Sequence, residues 1–394
     1  MSAHIVQSQP KLDLAKRKAA TFGAVGLGLC ALAWLLQPDR FYQSYLVAYL
    51  FWVGISVGCL AVIMVHYLVG GLWGFTIRRP AEAGTQTIPL MALFFLPIIL
   101  GMKSLFIWAD PHHVEADPHL QNKALYLNVN FFLVRALIYF VIWGGLAWVL
   151  NWGSRVQDRV ESPYPTDRLK NVSGPGMVLY FITLTFAMVD WGMSLEPEWF
   201  SSIYGAMLLV GQVLASLCVL ILVTDWLSKS EPELHEVTTP QAYNDLGNLL
   251  LAFVMLWAYM SFSQYLITWS GNLAEEIPWY LKRSVNGWRP VAIALIVFHF
   301  FVPFFLLLSQ DRKRKIEALK KVAIAILFMR CVDQIWLILP AFEAKNILVF
   351  WSVIPAFVGI GGIWLAFFFS RLGARPLLPR NNPQLTAALE HHGE

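Results

Sequence analysis

Apolar runs of about 18 residues or more, each long enough to cross a bilayer as a helix, recur along this 394-residue chain. Hydrocarbon offers backbone N–H and C=O groups no partners, so such a run must satisfy them within its own segment, as a helix does. With 57% of its residues hydrophobic and 14% charged, the chain could not cover itself with polar surface as a soluble domain. The expected fold class is all-α, a polytopic integral membrane protein of about ten transmembrane helices. Their expected limits are Ala19–Gln37, Ser44–Trp73, Ile88–Trp108, Leu127–Asn151, Gly176–Ser194, Ile203–Asp225, Leu246–Trp269, Pro290–Ser309, Val322–Pro340 and Ile347–Ser370.

Basic residues sort strongly between the two sides of these spans. One side carries Lys11, Lys16 to Lys18, Arg78, Arg79, Arg155, Arg159, Arg168, Lys170, Lys229, Arg312 to Lys315, Lys320, Lys321, Arg371, Arg375 and Arg380. The other carries Arg40, Lys123, Lys282, Arg283, Arg289 and Lys345. The positive-inside rule then places both termini in the cytoplasm, as an even span count requires. Lys11 to Lys18 precede the first span without a small-residue cleavage motif, so that span is expected to be retained. The net charge of +4 follows this sorting and gives no sign of a nucleic-acid partner. Cys30, Cys59, Cys218 and Cys331 fall singly in apolar runs, without the spacing of iron–sulfur, zinc or covalent haem sites; they read as small buried residues.

Self-comparison adds a parallel repeat of four spans. The second and sixth spans align on Val53-Gly54 and Val210-Gly211, and the fifth and ninth on Val189-Asp190…Pro197 and Val332-Asp333…Pro340 at identical spacing. The offset drifts because the loop around Glu161 is long in the first half and the loop around Pro278 in the second. The expected organisation is 1–43 for an N-terminal segment and first span, 44–200 and 201–345 for two four-helix bundles, and 346–394 for the last span and tail.

The stretch from Phe186 to Tyr204 places Asp190 about two turns inside a helix that breaks at Pro197. An unpaired acid at that depth costs roughly 2.5–3.5 kcal/mol. Lys103, Arg135, Arg330 and Asp333 also map to the outer half of the spans, while Asp225 sits at the cytoplasmic rim. These charges must face one another or water. Arg330 and Asp333 share a helix face, and Asp190 looks to Lys103 or Arg135. Two readings stay open: static ion pairs that fix helix register, and a proton-conducting half-channel open to the outer face. His66 and His299, near mid-membrane on different spans, could join such a path; as a haem pair they lack the paired spacing along two helices. His112, His113 and His119, interleaved with Asp110, Glu115 and Asp117, read as a solvated loop ahead of a metal site, and His391 and His392 as a loose tail. No nucleotide loop, hydrolase elbow or HExxH motif is present.

Three long motifs carry a family resemblance: D-W-G-M-S-L-E-P-E-W-F-S-S-I-Y-G from Asp190, S-F-S-Q-Y-L-I-T-W-S-G-N-L-A-E-E-I-P-W-Y-L from Ser261, and H-F-F-V-P-F-F-L-L-L-S from His299. With these motifs the chain resembles, from its second span to its tenth, the second NrfD-like membrane subunits of bacterial alternative complex III, a quinol:cytochrome c (or other electron acceptor) oxidoreductase. The resemblance implies a bacterial inner-membrane location and two central four-helix bundles. It implies partners: a paralogous NrfD-like subunit, an iron–sulfur subunit, multihaem and monohaem cytochrome c subunits, small membrane subunits and a terminal oxidase, within membrane lipid. It also implies that haems and iron–sulfur clusters belong to those partners, and that menaquinone or ubiquinone is the substrate of the complex. By motif, the functional acids are Asp190 and, through the repeat, Asp333, with Gln264 and Glu275-Glu276 in the second motif.

In its outer half the first bundle offers Lys103 and Arg135 but no histidine, whereas a quinol site needs a neutral base for the hydroxyl proton. The expected function is therefore a non-redox subunit with a structural role and a proton path through Asp190, Asp333, Arg330, Lys103, Arg135, His66 and His299. A quinone-binding subunit with Gln264 and Asp190 as contacts is the first alternative. A free-standing secondary transporter is the second.

Overall fold

A computed structural model describes residues 9–159, 164–285, 287–342, 347–378 and Leu385. Glu161, Lys345, Arg380, His391 and His392, named above, lie outside the described residues. No strand occurs among the described residues, and ten helices are long and apolar enough to cross a membrane. They are α1 (Gln9–Leu36), α2 (Pro38–Val69), α3 (Leu72–Leu100), α4 (Val129–Gln157), α5 (Thr166–Leu195), α6 (Tyr204–Ser228), α7 (Pro240–Gly271), α8 (Trp288–Leu308), α9 (Ile316–Phe342) and α10 (Val353–Leu372). The chain is an all-α, multi-pass membrane protein.

Two helices occupy the centre. In α2 and α6, 94% and 83% of the most apolar stretch is buried within the protein, against 28% for α1 and α7 and 22% for α8. Lipid tails are as apolar as leucine, so helices in a bilayer associate through close backbone approach and polar contacts. The central pair does this at Gly54 and Gly58, which receive Gln212 and Ser216 of α6; a Cβ on Gly58 would collide with the Ser216 hydroxyl. Ser216 Oγ also donates to the Ile55 carbonyl at 3.0 Å. Around the pair, α2 packs against α3 and α5, and α6 against α7 and α9.

α1 and α10 form a second close contact. A Cβ on Gly26 would run into the backbone of Gly359, and one on Gly362 into the backbone of Gly23. Gly26→Leu is expected to force the two helices apart, at an overpacking cost of about 1–3 kcal/mol. It should lower the thermal unfolding midpoint in detergent. Gly28→Leu, whose side chain would meet open space, should leave it unchanged.

Of the boundaries that depart from expectation, two move charges. The second helix stops at Val69 and does not run to Trp73, because Gly70 and Gly71 take φ values of 75° and 96° and reverse the chain. Glycine alone occupies that region without strain. Residues 72–85, of which 74–85 fall between the expected spans ending at Trp73 and starting at Ile88, therefore open α3. Arg78 and Arg79 are buried there, at 1% and 3% exposure. At the other end of the first bundle, the α-helical part of α5 ends at Trp191, not near Pro197, and a single 3₁₀ turn, Met193–Leu195, follows. Gly192, held against Tyr204, breaks the helix, and Ser194 Oγ bonds the Asp190 carbonyl. Asp190 thus sits in the last turn rather than two turns deep.

Candidate functional site

The repeat places an acid at matching positions of α5 and α9, and the two acids have different surroundings. Asp190 is fully engaged. Arg135 of α4 grips it bidentately, Nε to Oδ2 at 2.8 Å and Nη2 to Oδ1 at 2.9 Å, and Tyr139 Oη donates to Oδ2 at 2.7 Å. The remaining face of Arg135 is also used: Nη1 donates to the Tyr126 carbonyl at 2.9 Å, and the guanidinium lies 3.9 Å from the Tyr126 ring centre. Trp191 seals the inner side against Tyr49, Phe95, Tyr139 and Trp143. A planar fork on a carboxylate, with all three guanidinium nitrogens bonded, is a lock that fixes the register of α4 against α5.

Asp333 forms its ion pair with Arg330 of its own helix, one turn earlier, and the Trp257 indole of α7 stands beside the carboxylate. Both ions are buried, at 2% exposure. Arg330 lies across α6 where Gly211 leaves room; a Cβ there would collide with the guanidinium. From α8, His299 enters the same space with 0% exposure, its ring 4.1 Å from that of Trp257. All four helices α6–α9 thus contribute to one buried centre. Val210, Trp257, Leu295 and Met329 form a small core of their own beside it, separate from the main one.

This second centre is polar but incompletely bonded. Among the described residues, neither ring nitrogen of His299 has a hydrogen-bond partner, nor has Arg330 Nε or Gln334 Nε2. A neutral imidazole always presents one donor and one acceptor, and each buried group left unpaired costs about 1–3 kcal/mol. The backbone around His299 is unusual too: Leu295–Phe301 forms a π-helix. The wider turn inserts an extra residue and occurs in proteins chiefly as local bulges at functional positions. A buried imidazole and a carboxylate can accept, hold and pass a proton, while the guanidinium, always protonated, sets the charge beside them.

The other expected site residues disperse. Lys103 is exposed, because α3 ends at Leu100; it lies beside Asp39 and Arg40 in a polar surface pocket of about 720 Å³ and does not meet Asp190. His66 stands in the last turn of α2, not near mid-membrane, enclosed by Tyr67, Trp73 and Phe75, whereas His299 faces Trp257. The two histidines belong to different sites. Asp225 meets Lys229 at 3.0 Å and Lys320 at 3.6 Å. The loop histidines are exposed, and Asp110 and Asp117 accept from the backbone N–H of His112 and His119, capping short turns. Among the described residues no group of three or more His, Cys, Asp or Glu could hold a metal ion. Glu275 is exposed and Glu276 half-buried.

The two expected quinone contacts both have hydrogen-bond partners within the chain. Gln264 accepts from Ser201 through Oε1 and donates to Thr268 at 3.3 Å through Nε2, while both oxygens of Asp190 are taken. Just past the second motif, a buried arginine ties it to the first. Arg283, 2% exposed, binds Glu196 at 2.9 Å and the Leu337 carbonyl at 2.7 Å. It also lies 3.6 Å from the Trp279 ring centre, and Trp279 stacks on Trp199 at 4.7 Å. Burial pulls the Arg283 guanidinium down from its ordinary value, and Glu196 opposes the shift.

One charge cluster was not visible in the sequence. Glu82 receives Arg78 at 2.9 Å, Arg79 at 2.7 Å and Arg375 at 3.1 Å, while Asp158 receives Arg79 and, at 2.6 Å, Arg375. Ser154 and Gln157 of α4 complete it. The i,i+4 spacing of Arg78 and Glu82 was the available signal; Arg375, 293 residues from Glu82, gave none.

No protein-family model matches the chain, and no curated protein is significantly similar to it.

Proposed function

We propose that this chain is an integral membrane subunit of a quinol-oxidising respiratory complex of the alternative complex III kind, with no redox centre of its own. Within it, the His299–Arg330–Asp333 centre, near the middle of α8 and α9, handles protons. The three sequence motifs support the assignment to such a complex. The observation that carries the proton role is the wholly buried His299, unpartnered at both nitrogens beside an ion pair, on a π-helical turn. Arg135 and Asp190, bonded through all three guanidinium nitrogens and both carboxylate oxygens, hold the first bundle in register. Haem, iron–sulfur clusters and quinol chemistry belong, in this reading, to the partner subunits.

Co-purification tests the assignment. The tagged chain, extracted in mild detergent, is expected to bring c-type haem absorbance and iron with it, and to lose both when partners are stripped. A chain that leaves the membrane alone, colourless and iron-free, is a free-standing transporter and the proposal fails.

A further inference from the structure

At the end of the bundle that holds the termini, a groove of about 220 Å³ opens toward lipid between α3, α4 and α10. Its two halves differ in chemistry. Arg155 and Arg371, at the ends of α4 and α10, stand at its mouth and are exposed. Neither is paired with a carboxylate among the described residues; Glu82 of α3 and Asp158 after α4 bind Arg78, Arg79 and Arg375. Further along α4 the groove runs over Gly144, where a Cβ would meet nothing within 4 Å, and past Trp148, 68% exposed. Trp148 stacks parallel to Trp152 at 6.5 Å, and Arg168 sits 5.4 Å from the Trp152 ring centre on the other side.

We infer that this groove binds an anionic phospholipid, with its headgroup phosphate between Arg155 and Arg371 and an acyl chain over Gly144 and Trp148. Unpaired arginines at the end of a span sit at headgroup depth, and basic pockets between transmembrane helices are suited to lipid phosphate. Exposed tryptophans at the same level are interfacial anchors. The open floor at Gly144 continues the charged mouth into an apolar channel, which a lipid can fill along its length and a free anion cannot. The inference is independent of the respiratory assignment. It needs only a membrane and these three helices.

Native mass spectrometry on the protein as purified tests it, after delipidation and addition of phosphatidylglycerol, phosphatidylcholine or inorganic phosphate. Phosphatidylglycerol is expected to be retained in preference to phosphatidylcholine, and phosphate should not displace it. Each arginine near an anionic headgroup contributes about 1 kcal/mol, so Arg155→Gln with Arg371→Gln should weaken retention about 30-fold. Gly144→Leu leaves both arginines in place, fills open space and should also reduce retention, which keeps the test decisive if the double variant does not fold. Equal retention of the two lipids, unchanged retention in Gly144→Leu, or full displacement by phosphate would each overturn the inference. The last would mean a free-anion site.

Discussion

Arg135→Leu, with Asp190 left in place, is expected to destabilise the folded chain by about 3–5 kcal/mol, the usual cost of stranding one partner of a buried ion pair. The cost arises on three fronts. Asp190, 1% exposed, would lose two of its three side-chain hydrogen bonds and keep only the one from Tyr139. The Tyr126 carbonyl would lose its bond from Nη1, and the Tyr126 and Phe131 rings would lose the cation at 3.9 and 4.3 Å. Removing the acid as well should reverse most of this, since a buried pair replaced by apolar residues of similar size is often neutral. The combined Arg135→Leu, Asp190→Leu and Tyr139→Phe variant is therefore expected to unfold close to the wild type, while the single variant unfolds far earlier. Denaturant titration in mixed micelles, followed by tryptophan fluorescence, checks both. If the triple variant were as unstable as the single one, the pair would be doing more than fixing register.

Asp333→Asn is expected to leave the first bundle intact and to impair function, because Asp333 belongs to the incompletely bonded centre. A positioned proton donor or acceptor typically contributes about 10²–10⁴-fold to a rate. Loss of about 10²-fold in any step that depends on this carboxylate is the expected lower bound. The neutral amide would also leave Arg330 without its counter-charge, so a stability effect must be separated from a proton effect. His299→Gln does that, since it keeps the Arg330–Asp333 pair and removes only the titratable ring. Both variants should slow quinol turnover by the proposed respiratory complex, whereas Tyr139→Phe, which trims the first bundle's lock, should leave turnover within a factor of about 10, less than a lost proton donor costs.

The span count and helical class were legible because bilayer-length apolar runs admit few other structures. The acids were legible too: Asp190 and Asp333 stand out against hydrocarbon, and the shared V-D-x(6)-P spacing linked them. Partner choice was only half legible. Arg330 and Asp333 are a helical turn apart and announce their pairing, but Arg135 and Lys103 were equal candidates for Asp190 until the end of α3 at Leu100 carried Lys103 to the surface. Arg78 and Arg79 were misplaced for a related reason. Arginines beside an apolar run look like a loop, and only the Gly70-Gly71 reversal, with Arg375 returning from the far end of the chain, lets them be buried with their charges paired. The π-helix at His299 left no mark in the hydropathy of H-F-F-V-P-F-F-L-L-L-S. Its extra residue is a matter of backbone register, which side-chain patterning does not report.

The most direct test is the number of protons released per electron when the complex, sealed into vesicles, oxidises quinol with wild-type, Asp333→Asn or His299→Gln chain. A proton role for the second bundle predicts that both variants assemble with their haem and iron complement yet release fewer protons per electron, or turn over at a small fraction of the wild-type rate. Unchanged stoichiometry and unchanged turnover in both variants would contradict it, leaving His299, Arg330 and Asp333 as packing alone.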